Sequence, residues 1–148
     1  MHKDLVQNKK AFFDYEILDK FEAGIVLKGS EIKSLRNHSA SLSDSFVDII
    51  NGEVWLLNSY IAPYEFSRSF THEERRKRKL LMHKNEISRL KKAISEKGLT
   101  IIPLKIFLKN SVAKVEIAIA KGRKHFDKRE KLKEKSEKKE IQKALKYK

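Results

Sequence analysis

Five basic residues in a row, Arg75-Arg76-Lys77-Arg78-Lys79, follow Glu74 and precede Leu80-Leu81-Met82. Side chains so placed reach in several directions and can neutralise several phosphates, although such a run can equally serve to keep a loop solvated. A second constellation, Gly122-Arg123-Lys124-His125-Phe126-Asp127-Lys128-Arg129, sets one aromatic ring among cations. That combination stacks on a base while contacting phosphate, and Phe126 has few apolar neighbours to bury it. Lys33 and Arg36 lie three apart in Gly29 to Arg36, on one face of a helix; an amphipathic cap with a basic side is more often structural than functional. Catalytic chemistry finds less support. His2, His38, His72, His83 and His125 lack metal-ligand spacing, and no glycine-rich loop has the Walker or Rossmann pattern. Asp44 and Asp48 would have to converge to hold a hydrolytic metal. The chain reads as a non-enzyme without cofactor or metal.

The charge points the same way. The 148 residues hold 34 Lys and Arg against 20 Asp and Glu, a formal net charge of +14. A surplus that large repels itself in a compact monomer and answers to an anionic partner, nucleic acid before an acidic membrane. The longest apolar-rich run, Leu99 to Leu108, is about half a bilayer span and contains Lys105. The opening residues, Met1 to Lys10, lack the apolar stretch of an export signal, so the expectation is a cytoplasmic protein. Its lack of cysteine excludes a disulfide framework and thiolate metal sites.

Those side chains need a scaffold, and the length suits one domain plus an appendage. From Lys121 to Lys148 there are 13 basic and 5 acidic residues, so over half of the net charge sits in the last fifth of the chain. Few apolar residues accompany it, too few to offset the entropy of ordering; the expectation is a domain over 1–120 and a basic tail over 121–148, disordered when free. Within the tail, Ile141, Ala144, Leu145 and Lys148 lie three or four apart, a thin stripe that a helix would gather once phosphates relieve the repulsion between lysines.

The body reads as strands. Phe13, Tyr15 and Ile17 alternate with Asp14, Glu16 and Leu18, and Ile25-Val26-Leu27 is a short second strand. Phe46 to Ile50 and Val54 to Tyr60 flank Asn51-Gly52, a hairpin signal because both turn positions need positive φ. Leu99 to Leu108 and Val112 to Ala120 form a longer pair turning near Asn110-Ser111, with Val115, Ile117 and Ile119 facing one way and Lys114 and Glu116 the other. Two helices interrupt: Ser30 to Arg36, capping a barrel end through Ile32 and Leu35, and His83 to Lys97, where Ile87, Leu90 and Ile94 recur at helical spacing before Gly98. About six strands with a helix between the halves imply a mainly β fold, a small closed barrel of the oligonucleotide-binding type with two to three helices. A β-sandwich of the same strands is the alternative.

Phe21-Glu22-Ala23-Gly24-Ile25, Gly29 to Arg36, Asp44-Ser45, Arg76 to Leu81 and Gly122 to Arg129 follow one another in an order that resembles the SsrA-binding protein (SmpB) family over about residues 8–129. The resemblance implies an oligonucleotide-binding-type barrel that binds transfer-messenger RNA, fills the place of its missing anticodon stem, and enters stalled ribosomes with it for trans-translation and peptide tagging. It implies RNA contacts at Glu22, Leu81 and Lys114, supported by Lys33, Arg36, Arg76, Arg78 and Lys79. It also implies that the tail lies in the vacated message channel of the small subunit, with decoding-centre contacts at Gly122, Arg123, Lys124, Phe126, Asp127, Lys128 and Arg129 and a channel contact at Leu145. The chain departs from the family at Phe12 and Phe13, where Arg and His are common, and at His38-Ser39, where Gly and Lys are usual.

A monomeric RNA-binding adaptor for ribosome rescue is the leading reading. A general single-strand-binding or ribosomal protein would fit the same charge and strands, and would bind any single strand in proportion to its length. A metal-dependent nuclease would cleave RNA only with magnesium.

Overall fold

The computed structural model describes residues 2–64 and 71–123, and Lys124 to Lys148, with most of the expected tail, lies outside them. The described elements, in chain order, are β1 (His2–Gln7), α1 (Ala11–Asp14), β2 (Tyr15–Ile25), α2 (Gly29–Arg36), β3 (Ala40–Ser41), β4 (Phe46–Ile50), β5 (Glu53–Leu57), β6 (Tyr60–Ile61), β7 (Arg78–Leu81), α3 (Lys84–Ser95), β8 (Leu99–Lys109) and β9 (Val112–Gly122). The strands run β1-β8-β4-β5-β7-β2-β9, and β9 pairs again with β8, so six of them close into a ring and β1 adds to the side of β8. The barrel replaces the sandwich alternative: a closed ring leaves few edges to protect.

Two hairpins set the register. Asn51 and Gly52 adopt φ of 52° and 77°, and Phe46 pairs with Leu57 through to Ile50 with Glu53. Asn110 and Ser111 adopt φ of 50° and 66° between β8 and β9. Elsewhere the structure departs from the sequence pattern. Ala11–Asp14 is a helical turn, so the strand expected from Phe13 begins at Tyr15, and Ile25 is the end of that same long strand. The expected strand from Val54 to Tyr60 breaks at Asn58, whose φ is 61°, and its end pairs with β3 in a small separate sheet. β1, β3 and β7 were not foreseen.

The barrel interior is filled from every side. Leu5, Phe21, Ala23, Val47, Val54, Leu56, Leu80, Ile101, Ile106, Val115 and Ile117 are all buried there, while Leu90 and Ala93 bring in α3 and Leu35 brings in α2. Truncating such a side chain to alanine costs about 2–5 kcal/mol. β9 is buried on both faces over part of its length: Ala118 and Ala120 join Ala11, Ile102 and Leu104 in a second cluster outside the ring. Small residues here let α1 lie close against the strands. Asn8 fixes its approach, its backbone N–H donating to the Leu104 carbonyl at 2.8 Å and its side-chain amide to the Pro103 carbonyl at 3.0 Å.

Candidate nucleic-acid interface

β2 lies between β7 and β9, and Gly24 is the residue where they meet: it pairs with Leu81 on one side and Lys114 on the other. Three residues distant in sequence, Glu22, Leu81 and Lys114, thereby line one cleft of about 450 Å³. Gly24 forms its floor, and Val112 and Met82 contribute to its walls. Leu81 is 54% exposed and so is Val112, an apolar lip that a folded chain would otherwise bury. Glu22 is not a stray negative charge beside a phosphate site. Its carboxylate accepts from the Lys109 ammonium at 3.4 Å, holding that cation beside the cleft. Sequence reasoning missed Lys109; its place in β8, directly opposite Val112 across the hairpin turn, was the available signal.

The basic run divides by strand parity. In β7, Arg78 and Leu80 point inward while Lys79 and Leu81 face out. Arg78 is fully buried, so it is unavailable to a phosphate in this structure and its expected RNA contact gives way to a structural role. Its Nε donates to Glu31 at 2.6 Å, and Nη1 donates to the Ser59 carbonyl and hydroxyl, each at 2.9 Å. Arg76 grips the same carboxylate with two donors, Nε to the Oε2 shared with Arg78 at 3.0 Å and Nη2 to Oε1 at 2.5 Å. Glu31, in α2, is likewise fully buried. Burial alone would raise its pKa; the hydrogen bond from Arg76, the Lys28 N–H and the charge and hydrogen bond of Arg78 more than reverse this and hold it below the ordinary value. Burial pushes the Arg78 guanidinium down, and Glu31 opposes that shift.

Other members of the expected site stay on the surface. Lys79 pairs with Glu53 at 3.2 Å, Lys33 sits 5.3 Å from the centroid of the Tyr64 ring, and Arg36 is exposed at the end of α2. Lys77 stands 4.7 Å from the Trp55 ring centroid, an aromatic–cation pair that the sequence reading did not single out. Gly122 ends β9, and the Arg123 N–H donates to the Asp14 carbonyl at 3.0 Å. Lys124, Phe126, Asp127, Lys128, Arg129 and Leu145 lie outside the described residues. Among the described residues no three His, Asp or Glu gather as a metal site, and no helix is long and apolar enough to cross a membrane.

The barrel and its ordered motifs have counterparts. A family model described as "SmpB protein" matches residues 5–147. The "SsrA-binding protein" of Protochlamydia amoebophila is 57% identical over 145 residues, covering 98% of this chain and 95% of its own length. That of a Sulfurihydrogenibium species is 58% identical, covering 97% and 95%. A solved chain described as "tmRNA-SmpB: a journey to the center of the bacterial ribosome" superposes with a TM-score of 0.69 at 48% identity, over 80% of this chain and 84% of that one. A likeness that spans the barrel, the cleft-lining strands and the basic end together, at this level of identity, makes the chain a member of the SmpB family.

Proposed function

We propose that this protein binds transfer-messenger RNA through the cleft of Glu22, Leu81 and Lys114 and accompanies it to stalled ribosomes for trans-translation. The observation that carries the reading is the convergence of those three residues on one side of a rigid barrel. In relatives the name itself states binding to SsrA, the transfer-messenger RNA, and the solved counterpart is described with tmRNA and the bacterial ribosome. Lys114 supplies a phosphate contact, Leu81 and Val112 offer apolar surface to a sugar or base, and Lys109 is held nearby by Glu22. Lys33, Arg36 and Lys79 extend the positive field around the barrel, which steers a polyanion into place.

In this reading the protein makes no covalent change itself and works in the cytoplasm as a monomer. Residues 1–120 hold the RNA and residues 121–148 reach the decoding centre and the emptied message channel. Binding of the full chain to the tRNA-like domain, measured against a single-stranded RNA of equal length at moderate salt, tests it. A clear preference for the folded domain is expected; equal affinity would favour a general single-strand binder.

A further inference from the structure

A second cleft opens on the same outer face, and nothing in the reading above uses it. It has a volume of about 410 Å³ and is lined by Asp4, Lys9, Phe12, Lys20, Lys105 and Glu116 among others. The aromatic ring is the unusual member. Phe12 is 50% exposed, although its neighbour Ala11 is 2% exposed and locked into the outer cluster. With Ala11 pinned inward and Asn8 tied to β8, the short helical turn has no choice but to present Phe12 outward. Lys20 stands 5.5 Å from its ring centroid. Lys105, paired with Asp4 at 3.5 Å, also lines the cleft.

The mixture of groups selects a ligand class. An exposed ring offers a stacking surface, and the lysines lining the same cleft can meet phosphates. Asp4 and Glu116 would repel an acidic peptide or a purely anionic surface, but they accept hydrogen bonds from the amino groups of a base. A nucleotide presents all three features at once. The cleft also neighbours the first one along β2 and β9. Glu116 pairs with Lys105 and with Glu22, and Lys114 is two residues further along β9, about 7 Å away at the rise of a strand. Successive nucleotides of one strand can span that interval.

We infer that the cleft lined by Phe12, Lys20 and Lys105 holds one unstacked nucleobase of the RNA that Lys114 contacts. This rests on the RNA reading of the neighbouring cleft. Titrations of the full-length protein with the tRNA-like domain at several salt concentrations test it. Phe12→Ala should weaken binding roughly 5- to 150-fold, the range for loss of one aromatic–base stack, with no change in salt slope because no charge is removed. Phe12→Trp should restore affinity, and the melting temperature should be unaffected in both because the side chain is exposed. Lys20→Gln should lower the slope by about one unit.

An unchanged dissociation constant for Phe12→Ala, or no restoration by Trp, overturns the inference. If Lys114→Ala weakens binding in the same series, the RNA reading of the first cleft survives that failure. If the unaltered protein shows no preference for the tRNA-like domain, it is the parent reading that fails. Normal binding by Phe12→Ala with reduced peptide tagging would move the base to ribosomal RNA and overturn the inference as stated.

Discussion

Gly24 and Leu81 face each other across the β2–β7 pair so closely that a β-carbon on Gly24 would stand 3.3 Å from the Leu81 Cβ. A methyl group fits there only if the leucine gives by a few tenths of an ångström. Gly24→Ala should therefore shift Leu81 at the lip of the proposed RNA cleft. The fold should survive at a cost of about 1 kcal/mol, at the low end for overpacking because Leu81 is exposed and can yield. RNA affinity should fall by less than in Leu81→Ala, and the double variant should bind no worse than Leu81→Ala alone. Full additivity of the two losses would show that Gly24 acts by another route.

The Glu31–Arg78 pair predicts an acid-sensitive core. Glu31 titrates below the ordinary 4.5, so its contribution to stability is complete above that pH and is lost as pH falls through its folded-state value. Glu31→Gln leaves Arg78 buried without its counter-charge and should cost about 3–5 kcal/mol at pH 7. Urea unfolding at pH 7 and at pH 3 checks both parts: the gap between wild type and variant should be wide at pH 7 and narrower at pH 3.

Lys114→Ala should remove one phosphate contact. Affinity for the tRNA-like domain should fall, and the slope of log K against log salt should become shallower by about 0.9. An unaltered slope would take Lys114 off the RNA face.

Phe126 belongs to the ribosome-facing half of the proposed function. Phe126→Ala should leave RNA binding intact while peptide tagging on stalled ribosomes slows, since one base stack is worth about 1–3 kcal/mol. Tagging at the normal rate would remove the stacking role.

The stripe of Ile141, Ala144 and Leu145 predicts a helix formed on the ribosome. Ala144→Pro should block tagging and spare RNA binding, because proline in a helix interior costs about 3 kcal/mol. Amides beyond Arg129 should exchange rapidly in the free protein, and slow exchange there would count against folding upon binding.

The barrel was legible where local rules act alone. Asn51-Gly52 announces its hairpin by backbone sterics, and the alternation of Val115, Ile117 and Ile119 with Lys114 and Glu116 places β9 correctly. Arg78 was not legible because a run of cations conceals a strand. The parity that puts Leu80 in the core also sends Arg78 inward, yet an inward arginine is tolerable only with a buried carboxylate, and Glu31 is 47 residues away. Phe12 was hidden differently: the period of two through Phe13, Tyr15 and Ile17 runs into a helical turn that only the packing of Ala11 explains. For Glu22, Leu81 and Lys114, the sequence supplied a resemblance, and the pairing of Gly24 with strands on both sides supplied their meeting point.

The pairing of β1 with β8 has a consequence for how the protein is made. His2 meets Lys109 and Gln7 meets Lys105, so the first strand made finds its partner only when about a hundred further residues have followed. At about 5–20 residues per second that is a wait of roughly 5–20 s. Throughout it Leu5 lacks the β8 members of its core, Ile101 and Ile106, which have yet to emerge. The amino-terminal strand therefore cannot dock before β8 has emerged, and until then the newborn chain carries an open sticky edge.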